Sequence, residues 1–451
     1  MRVLMIGTGY VGLTTAVVLA YVGHEVTCVD VNAEKIRLLK AGIAPFYEPH
    51  LSELLSQVQS RLRFTDCFDD ANIPNAEVIF IAVGTPSQPD GSANLEYVRQ
   101  AAESIAEHMD GNFTVVVNKS TVPIGSGNWV GAILREHYEQ THGKKPKDKF
   151  AVVSNPEFLR QGSALHDSFY PDRVIIGSEN EKGIDLLTSL LDPLLRQTFT
   201  PPEDLPRPDA LSEVPLLICD LTSAEVIKYA ANSFLALKIS YINEIAQLAQ
   251  KVGADITQIS RGIGLDQRIG PRFLEAGIGW GGSCFGKDTA ALVSTAKEYK
   301  LNMPIIQAAR DVNYQQRTWV VDTLQETLKI LKGKRIAMLG FSFKADTDDL
   351  RDAPSIDISR LLLQRGAIVR AHDPVALDNA RRQYADLGVT FCQEIDEALD
   401  EAEAIVLVTP WPQYRTIEWE KLPRVPVIDG RNFLDRAHLA QLGFTVIGVG
   451  R

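Results

Sequence analysis

The chain has 451 residues, 45% hydrophobic and 23% charged, with a formal net charge of −11. That length exceeds one ordinary core and points to two or three globular domains, while the acidic balance disfavours nucleic acid or an anionic membrane as a partner. No stretch approaches the roughly 18 continuous apolar residues of a membrane span, no basic or cleavable apolar leader precedes the first strand, and Cys28, Cys67, Cys219, Cys284 and Cys392 are scattered without zinc-ligand spacing. The expectation is a cytoplasmic protein without a disulfide framework or a metal.

Residues 1–30 read strand, Gly-rich turn, helix, strand, as MRVLMIG, TGYVG, LTTAVVLAYVG and HEVTCVD. Gly7, Gly9 and Gly12 form G-x-G-x-x-G between strand and helix. The first allows a tight turn, the second lets backbone approach a diphosphate, and the third allows helix–strand packing. The pattern alone also fits a flavin site or a vestigial fold. Asp30, ending the second strand, favours NAD, because a carboxylate there bonds the ribose hydroxyls and repels the extra phosphate of NADP. Segments 78–86, 113–123 and 150–157 are three more apolar strands, each ending in small or polar residues suited to ligand-facing loops. A proline-rich stretch at 199–216 reads as a boundary or a surface excursion.

A helical segment then runs from 221 to 251, with Thr222 and Glu225 at capping-box spacing and Gly253 just beyond its end. It would be about 45 Å long, and its mostly apolar faces predict burial, partly against a second subunit. In FLEAGIGWGGSCFGKD (273–288) the glycines at 277, 279, 281, 282 and 286 suit a loop whose backbone closes tightly over a ligand. A lone cysteine is ordinarily an inert buried side chain. Cys284 differs, since it lies in that loop beside a helix start predicted at Asp288, where a thiolate is favoured. The last third repeats the opening grammar: RIAMLG (335–340) echoes RVLMIG, AIVRAHDP (367–374) echoes HEVTCVD, and VIDG (427–430) reads as a strand. This second copy is longer and lacks the G-x-G-x-x-G turn, so it predicts a second Rossmann-like domain with a different ligand. The predicted fold is α/β, with two Rossmann-like doubly wound domains joined by a long central helix and a small helical region. Its divisions are 1–200 (NAD-binding), 201–220 (Pro-rich connector), 221–325 (central helical dimerisation domain with the cysteine loop) and 326–451 (second Rossmann-like domain, for the other ligand).

GTGYVG (7–12), VGTPS (83–87), STVP (120–123), NPEFLRQGSA (155–164), EVIKYAANSFLALKISYINE (225–244), RIG (268–270), the glycine–cysteine loop and GFSFKADTDDLRDAP (340–354) together resemble the UDP-glucose/GDP-mannose dehydrogenase family. The resemblance spans essentially the whole chain, in one order. It implies two successive NAD-dependent oxidations of a nucleotide-sugar primary alcohol to the acid, without release of the aldehyde. Alcohol to acid removes four electrons and NAD takes two, so two cofactors act in turn. The aldehyde needs a nucleophile, Cys284, to form a thiohemiacetal, then a thioester that water opens.

By the family's pattern, Lys228 and Asn232, at i and i+4 on one helix face, flank the reacting oxygen. Asp288 supports the proton network, and Thr121 and Glu157 position or activate water. Implied cofactor contacts are Gly7, Gly9, Tyr10, Val11, Gly12, Asp30, Lys35, Thr85, Thr121, Glu157, Lys287 and Arg351. Implied substrate contacts are Lys344, Arg431 and Arg268, the last reaching across from a partner subunit. Phe273, Leu274, Glu275, Ala276, Gly277 and Gly281 cover the nucleoside and sugar, with Glu157, Phe158, Leu159, Arg160, Lys228 and Asn232 completing the set. Many relatives carry a second glutamate where this chain has Gln161; a neutral amide cannot be a base, so Glu157 carries that role alone. The Pro-rich stretch is longer than is usual in the family. GWGGSCFGKD looks more like the UDP-glucose type than the GDP-mannose or UDP-N-acetylmannosamine types, which share the mechanism. The expected product is therefore UDP-glucuronate, from a homodimer or higher oligomer built through the central helix. Outside the family, a one-step dehydrogenase would yield one NADH per sugar instead of two. A nucleotide sensor would need none of Cys284, Lys228, Asn232 and Asp288.

Overall fold

The computed structural model describes residues 1–88, 90–109 and 112–451. They divide into two units, Met1–Ala230 and Ala231–Arg451. Strand β1 (Arg2–Ile6) shows how unit 1 is built. Val3 and Met5 share a core with Leu13, Ala16, Val17 and Ala20 of the Tyr10–Tyr21 helix. Leu4 and Ile6, pointing the other way, share a second core with Val98, Ala101, Ala102 and Ile105 of the Glu96–His108 helix. A strand covered on both faces reads as a continuous apolar run, as RVLMI does.

Across the sheet of unit 1 the order is β3 (Leu62–Thr65), β2 (Glu25–Val29), β1, β4 (Val78–Ile81), β5 (Thr114–Asn118), β6 (Phe150–Ser154), β7 (Val174–Gly177) and β8 (Leu216–Cys219). Pairing is parallel except between β6 and β7. The strand order reverses between β1 and β4, the place where doubly wound sheets open a crevice at their carboxyl ends. Unit 2 repeats the order with six parallel strands: β11 (Thr390–Phe391), β10 (Ile368–His372), β9 (Arg335–Leu339), β12 (Ala404–Leu407), β13 (Val427–Asp429) and β14 (Val446–Gly448). Ile336 and Met338 of β9 face one core, and Ala337 and Leu339 the other. Both Rossmann-like sheets predicted from the sequence are present.

Three local expectations give way to tertiary structure. The Pro-rich stretch is no boundary: Leu205 and Val214 are buried in the core of unit 1, the Tyr170 hydroxyl donates to the Leu205 carbonyl at 2.6 Å, and the chain runs on into β8. The central helix spans Leu221–Val252, yet Thr222 and Glu225 form no capping box. Its cap is Asp220, whose carboxylate accepts from the Ser223 amide at 2.8 Å and its hydroxyl at 2.6 Å, while Glu225 faces another element. The helix closes as expected, with Gly253 at φ +75° and the Ala254 amide donating to the Ala249 carbonyl at 2.9 Å. Third, the helix predicted to begin at Asp288 starts at Phe285. Among the described residues no helix is long and apolar enough to cross a membrane.

Candidate active site

In unit 1 the loop after β1 has the form a dinucleotide needs. Gly7 sits at φ +98°, and a Cβ there would lie 2.5 Å from the Ala82 carbonyl oxygen; at Gly12 it would lie 1.9 Å from that of Gly7. Gly9 differs, because a Cβ on it would meet nothing within 4 Å. That leaves open space at the N-terminus of the Tyr10–Tyr21 helix, where unsatisfied amides and the helix dipole attract a diphosphate. Val11 follows in the first turn, and the Tyr10 ring packs 4.0 Å from Phe46. Asp30, at the end of β2, accepts from the Thr8 amide at 2.9 Å, the Thr8 hydroxyl at 2.7 Å and the Asn32 amide at 3.0 Å, with Lys35 Nζ 3.5 Å away. Burial would raise its carboxyl, but those donors and the Lys35 ammonium outweigh it and hold the group below the usual carboxylate range. The residues fit NAD: an open cradle for the diphosphate beside an ionised acid for the ribose.

The carboxyl ends of β5 and β6 carry the next cluster of unit 1. The Thr85 hydroxyl donates to the Thr121 carbonyl at 2.7 Å, joining the loops after β4 and β5. Lys228 is 4% exposed, so it does not snorkel to the surface. Its ammonium donates to the Glu157 carbonyl and, at 3.1 Å, to Glu157 Oε1, while the Phe158 ring lies 5.2 Å away. Glu157 is 8% exposed, and its other oxygen accepts from the Leu159 amide at 2.9 Å. Arg160 is turned to a carboxylate, its Nη2 2.6 Å from Asp167. Gln161 Oε1 is buried with no partner among the described residues.

Sequence reasoning missed Lys119 here. Its ammonium donates to Asn155 Oδ1 at 3.0 Å, and the Asn155 amide is fixed in turn by the Ile175 carbonyl at 2.8 Å. Desolvation pushes Lys119 down to about 8; Glu157 opposes that fall and Lys228 adds to it. Its position at the end of an apolar strand, one residue before STVP, was the available signal.

In unit 2, Cys284 is the N-cap of the Phe285–Glu298 helix, with Ser283 Oγ 3.6 Å from its sulfur. The first-turn amides and the positive end of the dipole favour a thiolate there more directly than the expected start at Asp288 would. One turn on, the Asp288 amide donates to the Cys284 carbonyl at 2.8 Å. The Asp288 side chain, 1% exposed, accepts from Asn232 Nδ2 and from Lys287 Nζ, each at 2.6 Å. Lys287, expected at the cofactor, is thus tied to Asp288. Arg351, also expected there, is held by Asp349 at 2.6 Å.

The glycines of the cysteine loop are explained by the chain itself. A Cβ at Gly281 would lie 2.3 Å from the Asp352 carbonyl oxygen, at Gly279 2.6 Å from Asn313 Oδ1, at Gly282 2.7 Å from the Phe343 ring and at Gly277 2.9 Å from the Gly430 carbonyl oxygen. The loop closes on protein, where the sequence suggested closure on a ligand. Asn313 braces it by accepting from the Trp280 amide at 2.7 Å and donating to the Trp280 carbonyl at 3.0 Å. Arg431, expected at the substrate, donates to the Gly279 carbonyl at 3.0 Å and the Val408 carbonyl at 2.9 Å, so it is a strut of the same loop. Leu274 and Ala276 are buried in the core of unit 2, Glu275 is exposed, and the Phe273 ring lies 6.3 Å from Phe285. Lys344 Nζ lies 5.9 Å from the Phe343 ring, and Arg268 is a surface side chain, 89% exposed, paired with Asp266 at 2.6 Å.

Comparison with known proteins places the chain in a family. Residues 1–195 match the NAD binding domain of the UDP-glucose/GDP-mannose dehydrogenase family, 222–315 its central domain and 337–436 its UDP binding domain. The chain is 41% identical over 456 residues to UDP-glucose 6-dehydrogenase TuaD of Bacillus subtilis, covering 100% of this chain and 93% of that one. A UDP-glucose dehydrogenase structure from Pyrobaculum islandicum superposes with a TM-score of 0.86 at 38% identity, covering 97% of this chain and 95% of that one. A UDP-D-ManNAc dehydrogenase from Pyrococcus horikoshii gives 0.84 at 27% identity, covering 100% and 99%. With three matched domains in order, an open dinucleotide cradle and a cysteine at a helix N-cap, the chain belongs to the UDP-glucose/GDP-mannose dehydrogenase family and is an NAD-dependent oxidoreductase.

Proposed function

We propose that this chain oxidises the primary alcohol of UDP-glucose to the carboxylate of UDP-glucuronate, in two steps joined by a covalent intermediate on Cys284. The observation that carries this reading is Cys284 at a helix N-cap, with a buried Asp288 one turn on that receives both Asn232 and Lys287. In the first oxidation C6 loses a hydride and its hydroxyl a proton, leaving an aldehyde. The Cys284 thiolate adds to the aldehyde carbon, and the resulting oxyanion takes a proton to give a thiohemiacetal. Loss of a second hydride and of the hydroxyl proton gives a thioester. Attack by water then breaks the carbon–sulfur bond, releasing the acid and restoring the thiol. Gly7, Gly9 and Gly12, with Asp30, would hold NAD, which would supply the hydride acceptor for each oxidation, two per sugar.

The side chains divide the remaining work. The Lys228 ammonium and Asn232 amide stabilise charge on the reacting oxygen, and Asp288, bonded to Asn232 and Lys287, takes up and returns its proton. Glu157 activates the hydrolytic water, with Thr121 positioning it. Lys344 binds the substrate diphosphate, and the exposure of Arg268 suits a contact reaching into a second copy. Of residues 273–277 and Gly281, Leu274 and Ala276 act from the core of unit 2 as support for the sugar side, and Arg431 braces the loop at Gly279. In domain terms the cofactor domain extends through 220, since the Pro-rich stretch and β8 pack with it, followed by a dimerisation domain at 221–325 and a UDP-sugar domain at 326–451.

Phe234, Tyr241 and Leu248 stand seven residues apart on the central helix and are 60%, 50% and 60% exposed. That apolar stripe supports a homodimer or higher oligomer formed through this helix. A thiol nucleophile, NAD and a nucleotide sugar together suit an enzyme of the cytoplasm, where thiols stay reduced.

The experiment is product stoichiometry. UDP-glucose should give two NADH per UDP-glucuronate, and Cys284→Ser and Cys284→Ala should nearly abolish turnover. Two NADH per sugar at near wild-type rates from both variants would remove Cys284 from the mechanism.

A further inference from the structure

Glu225 has no part in the chemistry above, yet it is 3% exposed and carries a carboxylate. One of its oxygens accepts from the Gly125 amide at 2.6 Å and the other from the Gly127 amide at 2.7 Å. Those amides open the Ser126–His142 helix, whose N-cap is Gly125 at φ +92°. The fit is close: a Cβ on Gly127 would lie 3.0 Å from Leu221 Cδ2 and 3.2 Å from Glu225 Oε1. The same 120–127 segment is sewn to the sheet from the other side. The Ser120 hydroxyl donates to the Val83 carbonyl at 2.8 Å, and Thr121 is tied to Thr85. One turn along the central helix from Glu225, Lys228 grips the loop after β6 through Glu157. Successive turns of one helix therefore hold the loops after β5 and β6, one through a carboxylate and the other through an ammonium.

We propose that Glu225 is a positioning residue for the oxidation: its carboxylate clamps the 120–127 segment and so fixes Thr121. The assignment rests on the function proposed above for what Thr121 does, but the clamp itself lies wholly within unit 1. The ionised carboxylate offers both amides a strong, charge-assisted acceptor, whereas protonation turns one oxygen into a hydroxyl and weakens the bonds. Burial pushes this carboxyl up to about 7 against the pull of the two amides, and the Asp220 charge at the helix start adds to the rise. From the facing segment it receives backbone amides. The clamp should therefore loosen as pH falls through about 7.

The test uses the full-length chain with Glu225→Gln, an isostere of the protonated state, and Gly127→Ala, which pushes on the clamp from the other side. Two readouts are taken: hydrogen exchange of residues 120–127 without ligand at pH 8, and kcat and KM with UDP-glucose and NAD from pH 5.5 to 9. Glu225→Gln should speed exchange in that segment about 10- to 100-fold, the range expected on losing a charge-assisted hydrogen bond. It should lower kcat at pH 8 about 10-fold with little change in KM for NAD, as a small displacement of a positioned group does. Wild type should lose kcat as pH falls through about 7, and the variant should lack that step. Wild-type exchange together with an unchanged pH step in Glu225→Gln overturns the proposal. If Glu225→Gln does not fold, Gly127→Ala decides by the same two measurements. Failure of the underlying function is read separately: wild type would then produce no two-to-one NADH yield, while the exchange result still reports on the clamp.

Discussion

Replacing Lys228 with methionine keeps most of its volume and removes the charge together with its hydrogen bonds to Glu157. The pair it forms with Glu157 has side chains 5% and 7% exposed and an N–O distance of 3.1 Å. At an effective dielectric of about 20, two unit charges at that distance attract by about 5 kcal/mol, a gross figure from which the desolvation of both ions must be subtracted. The net value of the pair is therefore small, but removing one partner alone strands a buried carboxylate. Lys228→Met should cost about 3–5 kcal/mol of folding stability in unit 1. Glu157→Gln should cost less, because the Lys228 ammonium keeps the Glu157 backbone carbonyl and can use the amide oxygen. The double variant should be more stable than the sum of the singles requires, by about 2 kcal/mol or more. Urea unfolding of the four proteins at pH 7.5, followed by circular dichroism, completes the cycle. Singles that add to within about 0.5 kcal/mol would refute a coupled buried pair, as would a Lys228→Met loss below about 1 kcal/mol. Turnover of Lys228→Met is expected to fall at least about 100-fold, as when one donor to a developing oxyanion is removed.

Three further outcomes follow from the geometry. NAD should be preferred to NADP by at least about tenfold in kcat/KM, about 1.4 kcal/mol, since ionised Asp30 would face the added phosphate; equal values would remove Asp30 from cofactor choice. Lys344→Ala should weaken UDP-glucose binding about 10- to 150-fold by calorimetry while leaving NAD binding unchanged, and the reverse pattern would exchange the ligands of the two sheets. Lys119 has a folded-state value of about 8 against an ordinary 10.5, so the unfolded chain holds the proton that the folded one has lost; stability should rise with pH between those values, and Lys119→Met should flatten that rise in denaturant titrations.

What could be read from the sequence was what is local or repeated. G-x-G-x-x-G after RVLMI, and the echo of RVLMI in RIAML, were enough for two parallel sheets, because buried parallel strands are apolar throughout. Cys284 stood out by its glycine neighbours, but the partners of those glycines lie far along the chain, at Asn313, Phe343, Asp352 and Gly430, so their packing role was invisible. Glu225 is the instructive error. Its spacing from Thr222 matches a local capping signal, yet its hydrogen bonds go to Gly125 and Gly127, about a hundred residues earlier. Tertiary contacts override the local motif. Strand β8 escaped notice because it is an edge strand with Leu217 and Ile218 about half exposed, which leaves no clean alternation to read. The start of the cysteine helix was misplaced because its N-cap is a cysteine, which makes no side-chain cap bond and carries no capping signature.

The two sheets also show how one fold serves two ligands. Gly340 follows β9 as Gly7 follows β1, and both hold positive φ, at +89° and +98°, so both copies keep the tight turn. The copies diverge at the second residue after that glycine. Gly9 leaves open space, whereas its counterpart Ser342 is fully buried and its hydroxyl reaches Asp373 Oδ2 at 3.0 Å. Asp373 occupies the place after β10 that Asp30 occupies after β2. Its Oδ2 accepts from the Phe341 amide at 2.7 Å, the Ser342 amide at 2.9 Å and Trp411 Nε1 at 3.1 Å, and its Oδ1 from the Val375 and Ala376 amides at 3.1 and 2.9 Å. At 1% exposure it has no surface left to offer a ribose. A diphosphate cannot lie on a turn already filled by Ser342, nor a ribose bond an acid whose acceptors are all taken. On the function proposed above, the second sheet would hold its nucleotide through side-chain cations such as Lys344, while Asp373, the counterpart of Asp30, braces the loop after β9.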